Sequence, residues 1–148
     1  MRLELTADLG KLSQIRDFVS AAVAALGIEV AALDDLTVAV DEAVTNILIH
    51  GYDGPGEIEL EISTSGSDVL VRLQDWAPVF HAKFSPTTDS QPPPARDKPG
   101  GLGLYLIQNA MDEVRHHAVD GSNQLVMVKR NVVGSSSEQA GDGYQRNL

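Results

Sequence analysis

Polar and apolar positions alternate over residues 2–6 (RLELT), the period of a short half-buried strand. The period then lengthens. Leu12, Ile15, Val19, Val23 and Leu26 recur every three or four residues, which predicts a helix N-capped by Asp8 and running to Leu26, with Gly27 as its C-cap. A second helix is predicted over about residues 31–50, with Leu33, Leu36, Val40, Val44 and Ile47 on one apolar stripe. Gly51 stops it, and Asp53-Gly54-Pro55-Gly56 is a turn cluster. Two more alternating runs, EIELEIS (57–63) and VLVRLQ (69–74), are joined by Thr64-Ser65-Gly66-Ser67-Asp68 and read as an antiparallel hairpin. Residues 76–99 break every pattern: prolines crowd there and large apolar residues are few after Phe84. A stretch that long inside a compact domain is either functional or disordered. After Gly100-Gly101-Leu102-Gly103 a third helix carries Leu104, Ile107, Ala110 and Met111. A last hairpin, VRHHAV and QLVMVKR, turns around Asp120-Gly121-Ser122-Asn123. Residues 131–148 have the low hydrophobicity of a disordered tail.

The order β-α-α-β-β-loop-α-β-β does not alternate strictly, which argues against a purely parallel doubly wound sheet. The expectation is an α/β (α+β) two-layer sandwich: a mixed, mostly antiparallel sheet with three helices on one face. The 148 residues suit one domain, taken as residues 1–130 followed by the tail 131–148. Cysteine is absent, so disulfides, thiolate metal sites and thiol catalysis are excluded. Eleven Lys and Arg against 21 Asp and Glu leave a net charge of −10. The sole basic dipeptide is Lys129-Arg130, so nucleic acid and anionic membrane are poor ligands and a protein or a small molecule fits better. No apolar run approaches the ~18 residues of a membrane span, and MRLELTADLG lacks a signal-peptide core. The default expectation is a soluble cytoplasmic protein.

Three places carry candidate chemistry. Glu42, Asn46 and His50 stand at i, i+4 and i+8 and align on one face of the second helix, apart from its apolar stripe. The plain reading is a solvated face. The chemical one is a site, since a carboxylate can orient or deprotonate a nucleophile and an amide oxygen suits Mg²⁺. Asp75 ends the strand VLVRLQD before Trp76-Ala77-Pro78. It is either turn chemistry or an acceptor for an exocyclic amine. Gly100-Gly101-Leu102-Gly103 opens a helix, either as a hinge or as a backbone cradle for phosphate. Neither G-x-x-x-x-G-K-[ST] nor a complete G-x-G-x-x-G is present, so a nucleotide would be held without a P-loop or a Rossmann turn. His116 and His117 are adjacent in a strand, point to opposite faces and read as structural.

Taken together, DEAVTNILIHGY (41–52), DWAPVF (75–80) and PGGLGLYLIQNAMDEV (99–114) resemble the three boxes of the GHKL, or Bergerat-fold, ATPases. Within them the chain resembles the bacterial anti-sigma factor serine kinases from about residue 3 to 130. The resemblance implies a fold that binds ATP and Mg²⁺ between the second helix, the sheet end and a lid formed by residues 81–99. It makes Glu42 the general base, Asn46 the Mg²⁺ ligand and Asp75 the partner of the adenine amino group. Gly101 and Gly103 would cradle the phosphates, and Gly100, Leu102, Leu104, Lys98, Ala77 and His50 complete the cofactor-binding positions. Arg96 and Lys98, just before the glycines, are placed to reach a γ-phosphate. The acceptor implied is a serine on an anti-anti-sigma partner of the STAS type, with a sigma factor as second partner and a homodimer as the working form. The alternatives are an ATPase with water as acceptor and a non-catalytic interaction module. One departure stands out: the family's second box reads Asp-x-Gly, and here Ala77 takes the glycine position. Its methyl group either crowds the adenine side of the pocket or is accommodated at negative φ.

Overall fold

Asp8 accepts the Gly10 N–H through Oδ1 at 2.8 Å, satisfying one of the donors that a helix start leaves open. In the computed structural model, which describes residues 1–78 and 101–134, this cap opens a single 3-10 turn, Leu9–Lys11. Helix α1 (Leu12–Ala25) follows directly. At its end Gly27 takes φ +71°, and the Ile28 N–H bonds the Val23 carbonyl at 3.1 Å, the closure a left-handed glycine makes possible.

The second predicted helix is three segments: a 3-10 turn (Val30–Ala32), α2 (Leu33–Asn46) and a π turn (Ile47–Tyr52). Gly51 therefore lies inside helical structure and does not stop it. The stop is Asp53 in the left-handed region (φ 55°, ψ 48°), after which the Gly54 N–H returns to the Leu48 carbonyl at 2.9 Å. A π turn fits more residues into each turn than an α-helix, and such insertions are common at functional sites.

The strands are β1 (Arg2–Ala7), β2 (Gly56–Ser65), β3 (Asp68–Asp75), β4 (Glu113–Val119) and β5 (Ser122–Lys129), with α3 (Gly101–Ala110) between β3 and β4. Their order in the sheet is β1-β2-β3-β5-β4, and every ladder is antiparallel. The expected mixed sheet is thus corrected. The crossover through α3 does deliver β4 in the direction of β3, but β5 returns between them and separates the two parallel strands. Both hairpin turns are tighter than the sequence suggested. Ser65 pairs with Asp68 across Gly66-Ser67. Val119 pairs with Ser122 across Asp120-Gly121, whose φ values of 45° and 80° are the geometry that Asp-Gly favours in two-residue hairpins.

Alternate strand positions fill one face: Ile58, Leu60 and Ile62 of β2, Val69, Val71 and Leu73 of β3, and Leu125 and Met127 of β5 are buried. They pack with Ile15, Val19 and Val23 of α1, Leu36, Val40 and Val44 of α2 and Ile107 of α3. The opposite face carries Arg2, Glu59, Glu61 and Arg72, linked by ion pairs. The result is the expected two-layer sandwich with its helices on one face.

The expected tail boundary is corrected as well. Asn131 takes φ 61°. Val132 and Val133 then both donate to the Ser67 carbonyl, at 2.9 and 3.0 Å, and Gly134 donates to Gly27 at 2.8 Å. Val133 pairs with Ile28. The packed chain therefore extends to residue 134, past the expected domain edge at 130, because open backbone groups at two turns accept it. Residues 135–148 and the expected lid, 81–99, lie outside the described residues. Among the described residues no helix is long and apolar enough to cross a membrane.

Candidate functional site

Four polar or charged side chains are buried among the described residues: Asn46, Asp75, Ser122 and Asn123. Interiors keep such groups only when they are bonded or used. Ser122 is bonded locally: its hydroxyl donates to the Val119 carbonyl at 2.8 Å and accepts from Gln74 at 3.0 Å. Asp75 and Asn123 face each other in the last row of β3 and β5, and Asn46 ends α2.

Along β3 the inward positions run Val69, Val71, Leu73 and then Asp75, so the buried face changes from apolar to charged in its last row. Asp75 is 5% exposed and lies directly opposite Asn123 of β5. Nδ2 of Asn123 donates to Oδ1 of Asp75 at 2.9 Å and to the Ala77 carbonyl at 3.2 Å. The Ala77 N–H donates to the same carboxylate oxygen at 3.0 Å. Oδ1 of Asn123 is buried with no hydrogen-bond partner among the described residues, which leaves an acceptor for a donor or water to satisfy. The methyl of Ala77 is buried and its φ is not positive; a Cβ on Gly51 would come within 3.1 Å of it. The backbone at Ala77 thus accepts a side chain without strain. The methyl rests on Gly51.

Glu42 and Asn46 sit one turn apart on α2. Asn46 is 8% exposed and Glu42 half-buried. Both side chains are polar groups held in a packed helix without a hydrogen bond to any described residue, which suits them to a ligand. Among the described residues no three His, Asp or Glu side chains gather to hold a metal. A divalent cation here would depend on Asn46 and on oxygens its ligand brings, the manner in which Mg²⁺ is commonly held. His50 lies on the π turn and is exposed, so it does not share the burial of Asn46.

Gly101, Leu102 and Gly103 form the first turn of α3, which packs against α2, and Leu104 is half-buried against the core. Gly100, Lys98 and Arg96 lie outside the described residues. His116 and His117 pair with Leu125 and Gln124, on opposite faces of the sheet as expected.

A family model, the histidine kinase-like ATPase domain, matches residues 5–129. The chain belongs to this family. Within it the chain is one of the anti-sigma factor serine kinases. It is 32% identical over 127 residues to the serine-protein kinase RsbW of Listeria innocua, covering 82% of this chain and 77% of that protein. It is also 32% identical over 123 residues to an anti-sigma F factor of Bacillus thuringiensis, covering 77% of this chain and 82% of the relative. Two solved structures share the fold. The RsbU and RsbW domains of a Mycobacterium tuberculosis protein superpose with a TM-score of 0.59 at 18% identity, covering 88% of this chain and 32% of that longer one. The catalytic domain of the histidine kinase ThkA gives 0.53 at 10% identity, covering 90% and 99%.

In this histidine kinase-like domain, two residues beside Asp75 carry no role that the sequence shows. Asn123 lies in a hairpin that reads as a turn until β5 is seen next to β3. Tyr52 ends the string DEAVTNILIHGY, yet its partners, Trp76 and Glu57, lie on other elements.

Proposed function

We propose that this chain binds ATP with Mg²⁺ and phosphorylates a serine of an anti-anti-sigma partner of the STAS type, and that it also binds a sigma factor. The observation that carries the reading is the unpartnered pair Glu42 and Asn46 on one helix turn, whose π-turn continuation meets the sheet end where Asp75 is buried and held by Asn123. Phosphoryl transfer asks a protein for positioning, charge neutralisation and an oriented nucleophile. Glu42 takes the proton of the acceptor hydroxyl. Asn46 offers an oxygen to Mg²⁺, which when bound supplies the charge that neutralises the phosphates. Asp75 accepts from the exocyclic amine of the base. Gly101 and Gly103 offer backbone N–H groups at the start of α3, with Gly100, Leu102, Leu104, Ala77, His50 and Lys98 as the remaining binding positions. Residues 81–99 act as the lid, and the working form is a cytoplasmic homodimer.

The test is to incubate the chain with Mg·ATP and a STAS-domain protein and to follow phosphoserine. Transfer that is lost in Glu42→Gln, with ATP binding retained, supports the kinase. Phosphate released to water without an acceptor makes the chain an ATPase. Binding of a partner with neither reaction leaves an interaction module.

A further inference from the structure

The β2–β3 ladder ends with Ile58 opposite Asp75. By that register the next pair would be Glu57 and Trp76. Their backbone groups do not complete the ladder. The hydroxyl of Tyr52 stands between them instead: it accepts the Trp76 N–H at 2.9 Å and donates to the Glu57 carbonyl at 2.7 Å. A side chain from the π turn thus splits the sheet one residue beyond Asp75. Burial holds the Tyr52 phenol above its ordinary value of 10.0, so it stays a neutral donor across the physiological range. Its ring lies where a side chain at residue 56 would begin, and a Cβ on Gly56 would overlap it. Gly51, from the same turn, meets the Ala77 methyl on the other side of Trp76.

We infer that Tyr52 is a positioning residue: it keeps Trp76, the residue after Asp75, from pairing with β2 and ties that strand end to the helix that carries Glu42 and Asn46. This deepens the proposed nucleotide site and rests on it. The carboxylate meant for the base and the residues meant for metal and phosphate belong to separate elements, and only their relative placement makes one site of them. The Tyr52 hydroxyl bridges the two directly. Without it, the Trp76 N–H and the Glu57 carbonyl are free to bond each other. The ladder then closes by one more pair and draws the Asp75–Ala77 segment toward β2.

Tyr52→Phe keeps the ring over Gly56 and removes only the hydroxyl. The expected result is an unchanged melting temperature, because Trp76 and Glu57 then bond each other, with a Kd for Mg·ATP raised about tenfold by calorimetry. The preference for ATP over GTP falls as well, because the base-binding end has moved. Gly56→Ala displaces the ring from beneath and gives the same loss, and the double variant loses no more than either single one, as two changes in one contact should. A Tyr52→Phe chain with the Kd and base preference of the wild type overturns the inference and leaves the proposed function standing. So does a loss of binding that merely follows a fall in melting temperature. A wild-type chain that binds no Mg·ATP overturns the proposed function, and this inference with it.

Discussion

Asn123 faces Asp75 across β5 and β3, with a 2.9 Å hydrogen bond from its amide to the carboxylate. The pair sits in the row where the inner face of the sheet turns from apolar to polar. The same amide also holds the Ala77 carbonyl. One side chain thereby sets both the carboxylate and the backbone turn that follows it. Replacing Asn123 by Leu leaves a buried carboxylate and a buried carbonyl each short of a donor. The expected cost is about 2–3 kcal/mol in urea unfolding, with weaker ATP binding in the fraction that stays folded. A stability equal to wild type would mean that Ala77 alone suffices to hold Asp75.

Glu61 and Arg72 give a pH dependence whose sign can be worked out. Nε and Nη2 of Arg72 both donate to Oε1 of Glu61, at 3.1 and 2.6 Å. These bonds, and then the guanidinium charge, hold the carboxyl below its ordinary value of 4.5. A depressed folded-state value means that the unfolded chain takes up the proton first, so the contribution is complete above 4.5 and fades as pH falls through the folded value. The melting temperatures of wild type and Glu61→Gln should differ by a constant amount above about pH 6 and converge below 4.5. The pair is accessible to solvent, so 1 M salt should narrow the gap at neutral pH.

Lys129 closes the far end of α3. Its ammonium donates to the Ala110 carbonyl at 2.8 Å and pairs with Asp35, in the first turn of α2, at 2.9 Å. A cation at a helix C-terminus satisfies carbonyls that have no partner within the helix. Lys129→Met should lower stability by roughly 1–2 kcal/mol. Most of that should survive in an Asp35→Asn background, because Asp35 is half exposed and its ion pair is worth little. Thermal unfolding of the two single variants and the double separates the contributions.

The docking of residues 131–134 predicts an asymmetry between two truncations. A chain stopped at Arg130 loses the bonds to Ser67, Glu29 and Gly27 and uncovers Ile28. It should be less stable by about 2 kcal/mol than one stopped at Gly134. Equal midpoints in urea would show that these contacts form without stabilising the fold.

Much of the architecture was legible along the chain. Asp8, Gly27 and Asp120-Gly121 act on backbone groups only a few residues away, so the elements they begin or end could be read locally. The row from Glu42 to Asn46 needed only the helical period. The family strings named Asp75 and the glycines that open α3. Hydrophobic period and turn chemistry by themselves determined the number, type and approximate place of the elements.

What they left open was which strands become neighbours. That choice rests on how the apolar faces pack and on the crossover through α3, which are properties of the whole chain. Placing β5 between β3 and β4 made the sheet wholly antiparallel and set Asn123 opposite Asp75. Extending α2 as a π turn brought the Tyr52 hydroxyl between Trp76 and Glu57. The open carbonyls of Ser67 and Gly27 drew in residues 132–134, whose own sequence gave no sign of order. Each of these contacts joins residues far apart in the chain, where no local period reaches. Only the tertiary structure could decide them.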